Sequence, residues 1–269
     1  NDILLVPADQ KKDWEQKTKV INDELRKLRK AADKAEGDER TKLNEQIEAL
    51  ESKMTVALIV IDGKLRDRDD MREIIKLADS LEVATEFCGR LDIDNIKTTE
   101  TFPGVIAIVE TPDYGSVDLA DNSPIIALSG LKDPGNLGTI IRTADWFGIK
   151  NIILGEDTVE PYNPKVVRST MGSLFRVKIF ESNNIVQTIS NLKDKQNYAV
   201  VALDMAGKNL TEMKSPKKTI YIFGNESHGL EPKLDNLITE RYTIPGRGGA
   251  ESLNVAVAAG ITMSRIMSD

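Results

Sequence analysis

From residue 125 onward the chain alternates short apolar runs with helix-length amphipathic stretches, and this alternation constrains the fold more than any other feature. The runs at 125–129, 151–154, 175–179, 199–204, 219–223 and 241–244 read as strands. Helices are expected over 136–147, 163–172, 185–192, 233–237 and 254–267. Strands that are apolar on both faces and separated by helices imply a parallel sheet covered on both sides. A smaller version precedes it, with strands at 56–61, 83–87 and 104–110, a helix at 70–81 and a loop at 96–104. Further upstream, Trp14, Ile21, Leu25, Leu28 and Ala32 form a heptad-like seam, and Leu43, Ile47, Leu50 and Met54 repeat it beyond Gly37. That spacing predicts an antiparallel helical hairpin over residues 9–53, with solvated charged outer faces.

Charge divides the chain near Pro124. Residues 1–123 carry 19 basic and 28 acidic side chains, net −9, whereas residues 124–269 carry 17 and 15, net +2. The overall −7 therefore does not exclude a polyanionic partner for the second half. The polar, proline-ended stretch 120–124 reads as a linker, giving segments 1–53, 54–120 and 124–269. The longest apolar run, 56–61, is far too short for a membrane span, and no secretory pattern opens the sequence, so a cytoplasmic protein is expected. One cysteine, Cys88, and one histidine, His228, leave no basis for a disulfide or a Cys-type zinc site. Cys88 reads as a small buried hydrophobe and His228 as an exposed loop residue.

Three glycine-containing turns follow strands of the second half, at 131–138, 223–230 and 244–254. In an open parallel sheet ligands bind beyond the carboxyl ends of the strands, and glycine there exposes backbone groups to them. No Gly-x-Gly-x-x-Gly follows a strand and no P-loop occurs, which demotes kinases, P-loop NTPases and ordinary dinucleotide enzymes. Singly, the turn residues have structural readings: Asn136 as cap of its helix and Ser252 as cap of the last.

Together they are more specific. Asn136-x-Gly138-x-x-x-Arg142, Gly224-Asn225-Glu226-x-x-Gly229-Leu230, and Ile244-Pro245 followed by Ser252-Leu253-Asn254 occur in that order. This set resembles the three motifs of the SpoU-type (TrmH-like) RNA ribose 2′-O-methyltransferases of the SPOUT superfamily. The resemblance runs from about residue 125 to 269, and more loosely over 55–110, which looks like the ribosomal-protein-like RNA-binding domain of such enzymes. The hairpin at 9–53 departs from that pattern.

The resemblance implies an α/β catalytic domain with a parallel sheet and a C-terminal deep trefoil knot, binding S-adenosylmethionine and acting on RNA. Ribosomal RNA is the preferred substrate and transfer RNA the alternative. A non-catalytic knotted RNA-binding protein and a base methyltransferase are the competing readings. It assigns catalytic roles to Arg142, Asn136, Glu226, Ser252 and Asn254. Cofactor contacts fall to Phe223, Gly224, Asn225, Glu226, Gly229, Ile244, Pro245, Gly246, Ser252 and Leu253. The chemistry needs no metal. A homodimer is implied through the last helix, rich in Ala256, Ala258, Ala259 and Gly260. Because the whole-protein field is negative, RNA binding would rely on local cations: Lys132, Arg142, Lys165, Arg168 and Arg247.

Overall fold

A computed structural model describes residues 27–28, 30–32, 35, 37, 39–43, 56–80, 83–89, 92, 104–109, 114, 123–214, 218–225 and 229–268. The chain divides into two compact units, Asn1–Pro112 and Asp113–Asp269. Most of the expected hairpin, most of the loop at 96–104 and residues 120–122 of the linker lie outside the described residues. Within the hairpin, residues 39–43 are helical and Gly37 takes φ +60, a conformation that glycine adopts without penalty.

In the first unit, strand β1 (Val56–Asp62) sits between β2 (Ala84–Cys88) and β3 (Val105–Val109). β1 and β2 are parallel, and helix α1 (Asp69–Ser80) makes the crossover that parallel pairing requires. Leu58, Val60 and Ile61 of β1 are buried, as are Met71 and Ala78 of α1. β3 pairs antiparallel with β1, so this sheet is mixed rather than wholly parallel. An edge strand is where a reversed direction is commonly accommodated.

The second unit holds six parallel strands: β4 (Ile125–Leu128), β5 (Asn151–Leu154), β6 (Lys178–Glu181), β7 (Ala199–Asn209), β8 (Thr219–Phe223) and β9 (Glu240–Thr243). Their spatial order is β6-β5-β4-β8-β7-β9, and every pairing is parallel. β4 and β8, both fully buried, form the centre. One face, with Ile125, Ala127, Ile153, Val200, Ile220 and Ile222, packs against Ile185, Ile189 and Leu192 of helix α4 (Ile185–Gln196). Alternation along the strands sends Ile126, Ile152 and Tyr221 to the opposite face. Tyr114 joins this unit by packing its ring 5.7 Å from that of Phe180.

Helix α2 (Pro134–Trp146) follows β4 and buries Leu137, Ile140, Ile141 and Ala144. Burying each Leu or Ile contributes about 1.5–3 kcal/mol, so the helix and its polar face are firmly seated. The short helix α3 (Pro164–Thr170) crosses α2 so closely that a Cβ on Gly138 would lie 2.4 Å from Ser169 Cβ and 2.9 Å from the Val166 oxygen. The final helix α5 (Val255–Ile266) also packs on α2; a Cβ on Gly260 would meet Thr143 at 3.7 Å.

Both suggested caps are displaced. Asp133, not Asn136, caps α2: its carboxylate accepts from the Asn136 N–H at 2.7 Å and Pro134 occupies the first helical position. Proline there is pre-set for the helix and lacks an N–H that would go unpaired, so the helix begins two residues early. Asn254, not Ser252, caps α5, accepting from the N–H groups of Ala256 at 2.9 Å and Val257 at 3.3 Å. β6 starts at Lys178 rather than 175, because residues Ser173–Phe175 close a 3-10 turn after left-handed Met171 and Gly172. β7 continues past the expected residue 204 to Asn209 through an irregularity that lets Leu203 and Lys208 both face Tyr242. Pro232–Leu237 is a 3-10 rather than an α-helix.

Candidate active site

β4 and β8 lie side by side with Leu128 level with Phe223, and each is followed by a glycine turn. From β4 the chain winds outward through β5 and β6, whereas β7 and β9 lie beyond β8. The carboxyl ends of β4 and β8 therefore flank the point where the winding reverses, the place where open α/β sheets bind ligands.

The two turns are built against each other. The Ser129 N–H donates to the Phe223 oxygen at 3.0 Å, and the Asn225 side-chain amide donates to the Gly130 oxygen at 2.8 Å. Asn225 and Gly229 exchange two backbone hydrogen bonds of 2.9 Å, closing the second turn on itself. A Cβ on Gly224 would sit 2.2 Å from the Gly229 oxygen, so only glycine fits beneath that closure. Gly130 and Gly229 take φ +70 and +68, which side-chain-bearing residues rarely adopt.

The third motif arrives from β9. Arg241 holds that edge strand in place with bonds of 2.6 Å to both Asp204 and Asp235. Ile244 beyond it is half-buried, while Pro245, Gly246, Arg247, Ser252 and Leu253 are exposed. The segment ends at Asn254, whose amide N–H donates to Asn136 Oδ1 at 3.0 Å. One side chain thus caps α5 with its oxygen and reaches the first motif with its nitrogen. That contact brings motifs one and three together, and the Asn225–Gly130 bond links motif two to the loop preceding motif one.

Arg142 lies on the exposed side of α2, and no hydrogen bond or ion pair joins its guanidinium to another described residue. Glu226 and His228 lie outside the described residues. Lys132, Lys165, Arg168 and Arg247 are all exposed; Lys132 pairs with Asp157 at 3.6 Å. Burial, with Asp92 and Glu86 nearby, pushes the Cys88 thiol up, away from nucleophilic use. A hollow lined by Gly207, Lys208, Asp235 and Arg241 lies against β7 and β9 and contains no motif residue.

Sequence reasoning did not anticipate the polar group under the turns. Buried Ser129 donates to Glu231 Oε1 at 3.0 Å, and Glu231 also pairs with Lys233 at 2.8 Å. The Lys233 ammonium, with the Ser129 hydroxyl assisting, holds the Glu231 carboxyl below its ordinary range. No periodicity or spacing connects positions 129 and 231, so only the fold reveals the pair.

The chain is similar to several known proteins. The SpoU rRNA Methylase family model matches residues 123–264. A Bacillus subtilis protein, the 23S rRNA (guanosine(2553)-2′-O)-methyltransferase RlmP, is 30% identical over 235 residues, covering 83% of this chain and 88% of that one. A Synechocystis protein named as an uncharacterized tRNA/rRNA methyltransferase is 36% identical over 138 residues, 51% of this chain and 50% of its own length. Among solved structures, the AdoMet-bound rRNA methyltransferase of Sinorhizobium meliloti superimposes with a TM-score of 0.68 at 28% identity, covering 93% of this chain and 94% of that one. With the first and third motifs joined near the reversal point of a parallel sheet and the family match covering residues 123–264 of that unit, the chain belongs to the SpoU rRNA methylase family.

Proposed function

We propose that this protein transfers a methyl group from S-adenosylmethionine to a ribose 2′-hydroxyl of structured RNA, with ribosomal RNA the preferred substrate and transfer RNA second. The observation that carries this reading is the Asn254–Asn136 bond, which joins the first and third motifs beside two interlocked glycine turns. The cofactor's uncharged adenine fits main-chain recognition with apolar walls. A Cβ on Gly246, Gly248 or Gly249 would meet nothing within 4 Å, and the half-exposed Leu253 offers an apolar wall. Phe223, Gly224, Asn225 and Gly229 supply one side of that cradle, and Ile244, Pro245, Gly246, Ser252 and Leu253 the other. Glu226 completes the second motif.

When bound, the cofactor supplies an already activated methyl group. What remains for the protein is to align the hydroxyl and let a proton leave. A guanidinium offers five donors and no acceptor, so Arg142 orients the acceptor's phosphate and hydroxyl rather than taking the proton, which leaves through a phosphate oxygen or water. Asn136, Ser252 and Asn254 hold the loops that frame the acceptor. Lys132, Lys165, Arg168 and Arg247 contribute phosphate contacts. No step requires a metal.

The same reading gives residues 124–269 the trefoil knot of this family. In support, the chain passes from edge strand β9 back to α2, and Arg265 of α5 donates to the Met213 oxygen at 2.8 Å. Residues 54–120 would form the RNA-binding domain, with an N-terminal strand and the helical hairpin of 9–53 before it in sequence. The homodimer reading is supported by exposed Val257 and Ile261, which lie four residues apart on α5. A cytoplasmic location accords with RNA as the substrate.

The test is transfer of tritiated methyl groups to bulk RNA by the wild type and by Arg142→Ala, followed by nucleoside analysis. Label in 2′-O-methyl nucleosides from the wild type only, with equal cofactor affinity in both, is expected. Binding of RNA and cofactor by the wild type without transfer would make the chain a binding module instead.

A further inference from the structure

A pocket built chiefly from main chain has few side chains with which to grip its ligand. Its affinity depends on how well the backbone groups are already aimed, since any ordering left for the binding step weakens it. In the Gly224–Leu230 turn, one anchor is evident: Asn225 reaches the Gly130 oxygen and bridges to Gly229. A turn held at one point pivots, and the second anchor lies just beyond it. Glu231 follows Leu230 directly and accepts the hydrogen bond of Ser129, a residue 2% exposed at the end of β4.

Glu231 is itself fixed from behind. Lys233 lies 2.8 Å from its second oxygen and 3.8 Å from Glu156, whose carboxylate accepts the Ile185 N–H at 3.1 Å at the start of α4. One polar chain therefore links the end of β4, the turn after β8 and the amino end of α4. Hydrogen bonds to an ionised carboxylate are stronger than neutral ones, and Lys233 keeps this one ionised. None of these four residues belongs to the three motifs.

We propose that Ser129 and Glu231 are positioning residues that clamp the Gly224–Leu230 turn onto β4 before S-adenosylmethionine binds. The inference rests on the reading of that turn as the cofactor cradle. The clamp acts on the turn alone, so it governs cofactor affinity and leaves the methyl-transfer step to the motif residues.

The experiment uses the intact protein with Ser129→Ala, Glu231→Ala, the double variant and Glu231→Gln, which retains an acceptor for Ser129. Calorimetry measures S-adenosylhomocysteine affinity, steady-state assays give kcat at saturating cofactor, and amide exchange is followed at Asn225 and Gly229 without ligand. Each alanine variant is expected to bind about tenfold more weakly, the double variant no worse than the weaker single by more than about twofold. Exchange at Asn225 and Gly229 rises alongside, amides within β4 and β8 stay protected, kcat holds within about twofold, and Glu231→Gln recovers most of the affinity. Unchanged affinity and exchange, multiplicative losses in the double variant, or a fall in kcat with affinity intact each overturn the clamp. A wild type that binds no S-adenosylhomocysteine overturns the cofactor reading itself, a result separate from variants that bind as tightly as wild type.

Discussion

Asn254 performs two tasks with the two ends of one amide, and substitutions can separate them. Its oxygen caps α5 through the N–H groups of Ala256 and Val257, and its nitrogen bonds Asn136. Asn254→Ala removes both. Loss of a cap costs about 1 kcal/mol. Loss of the solvent-accessible bond costs about 0.5–1 kcal/mol. The sum, about 1.5–2 kcal/mol, lowers the melting temperature of a unit this size by about 3–8 °C. Asn254→Ser keeps a capping oxygen on a shorter side chain that cannot span to Asn136, so its melting temperature falls by only about 1–4 °C. Methyl transfer should fall comparably in both, by at least about tenfold, because misplacement by 1 Å is enough to cost that much. Thermal unfolding by circular dichroism and a single-turnover methylation assay read the two quantities. Equal destabilisation by Ser and Ala would show that the cap contributes nothing. Wild-type activity in Asn254→Ser would refute the role given to the Asn136 contact.

Three further outcomes are expected. Gly224→Ala drives a methyl group into the Gly229 carbonyl at 2.2 Å; neither backbone segment can yield cheaply, so stability should drop by about 3 kcal/mol or more in urea unfolding, with cofactor binding lost. The Arg176 guanidinium holds the Asp145 carboxyl below its ordinary range, so the pair stabilises the fold above the carboxyl's unfolded value and is lost as pH falls through the lower folded value. The melting-temperature gap between wild type and Asp145→Asn should therefore be widest near neutrality and shrink as pH drops below about 4, and a gap that widens in acid contradicts this assignment. Val257→Glu with Ile261→Glu places charge on two exposed apolar positions of α5, and sedimentation velocity is expected to show a dimer for the wild type, as proposed, and a monomer for the double variant.

Strands β5 and β8 match their expected bounds residue for residue, because a buried parallel strand is simply an unbroken apolar run ended by a turn. Helix beginnings were less legible. At Asp133-Pro134 and at Asn254 several residues in succession are chemically able to cap, and the choice falls to whichever side chain the tertiary packing leaves over the first free N–H groups. The late start of β6 has a tertiary cause as well, since Arg176 is drawn to Asp145 of α2 by bonds of 2.9 and 2.7 Å. For the site, the order of the motifs was readable but not their contacts. The glycine of the first motif turns out to serve the crossing of α2 over α3. Ser129 and Glu231 carried no signal, because a serine after a strand and a glutamate after a glycine turn are commonplace apart.

The bond between Asn136 and Asn254 closes a loop of 118 residues. The interlocked glycine turns are joined over a comparable distance, by the Asn225–Gly130 bond 95 residues apart. The proposed site is therefore assembled wholly from long-range contacts, and no short stretch of the chain carries it alone. Contacts of this kind cost loop-closure entropy that only the completed fold offsets. A fragment that lacks α5 would keep the first motif and lose the Asn254 partner that meets it.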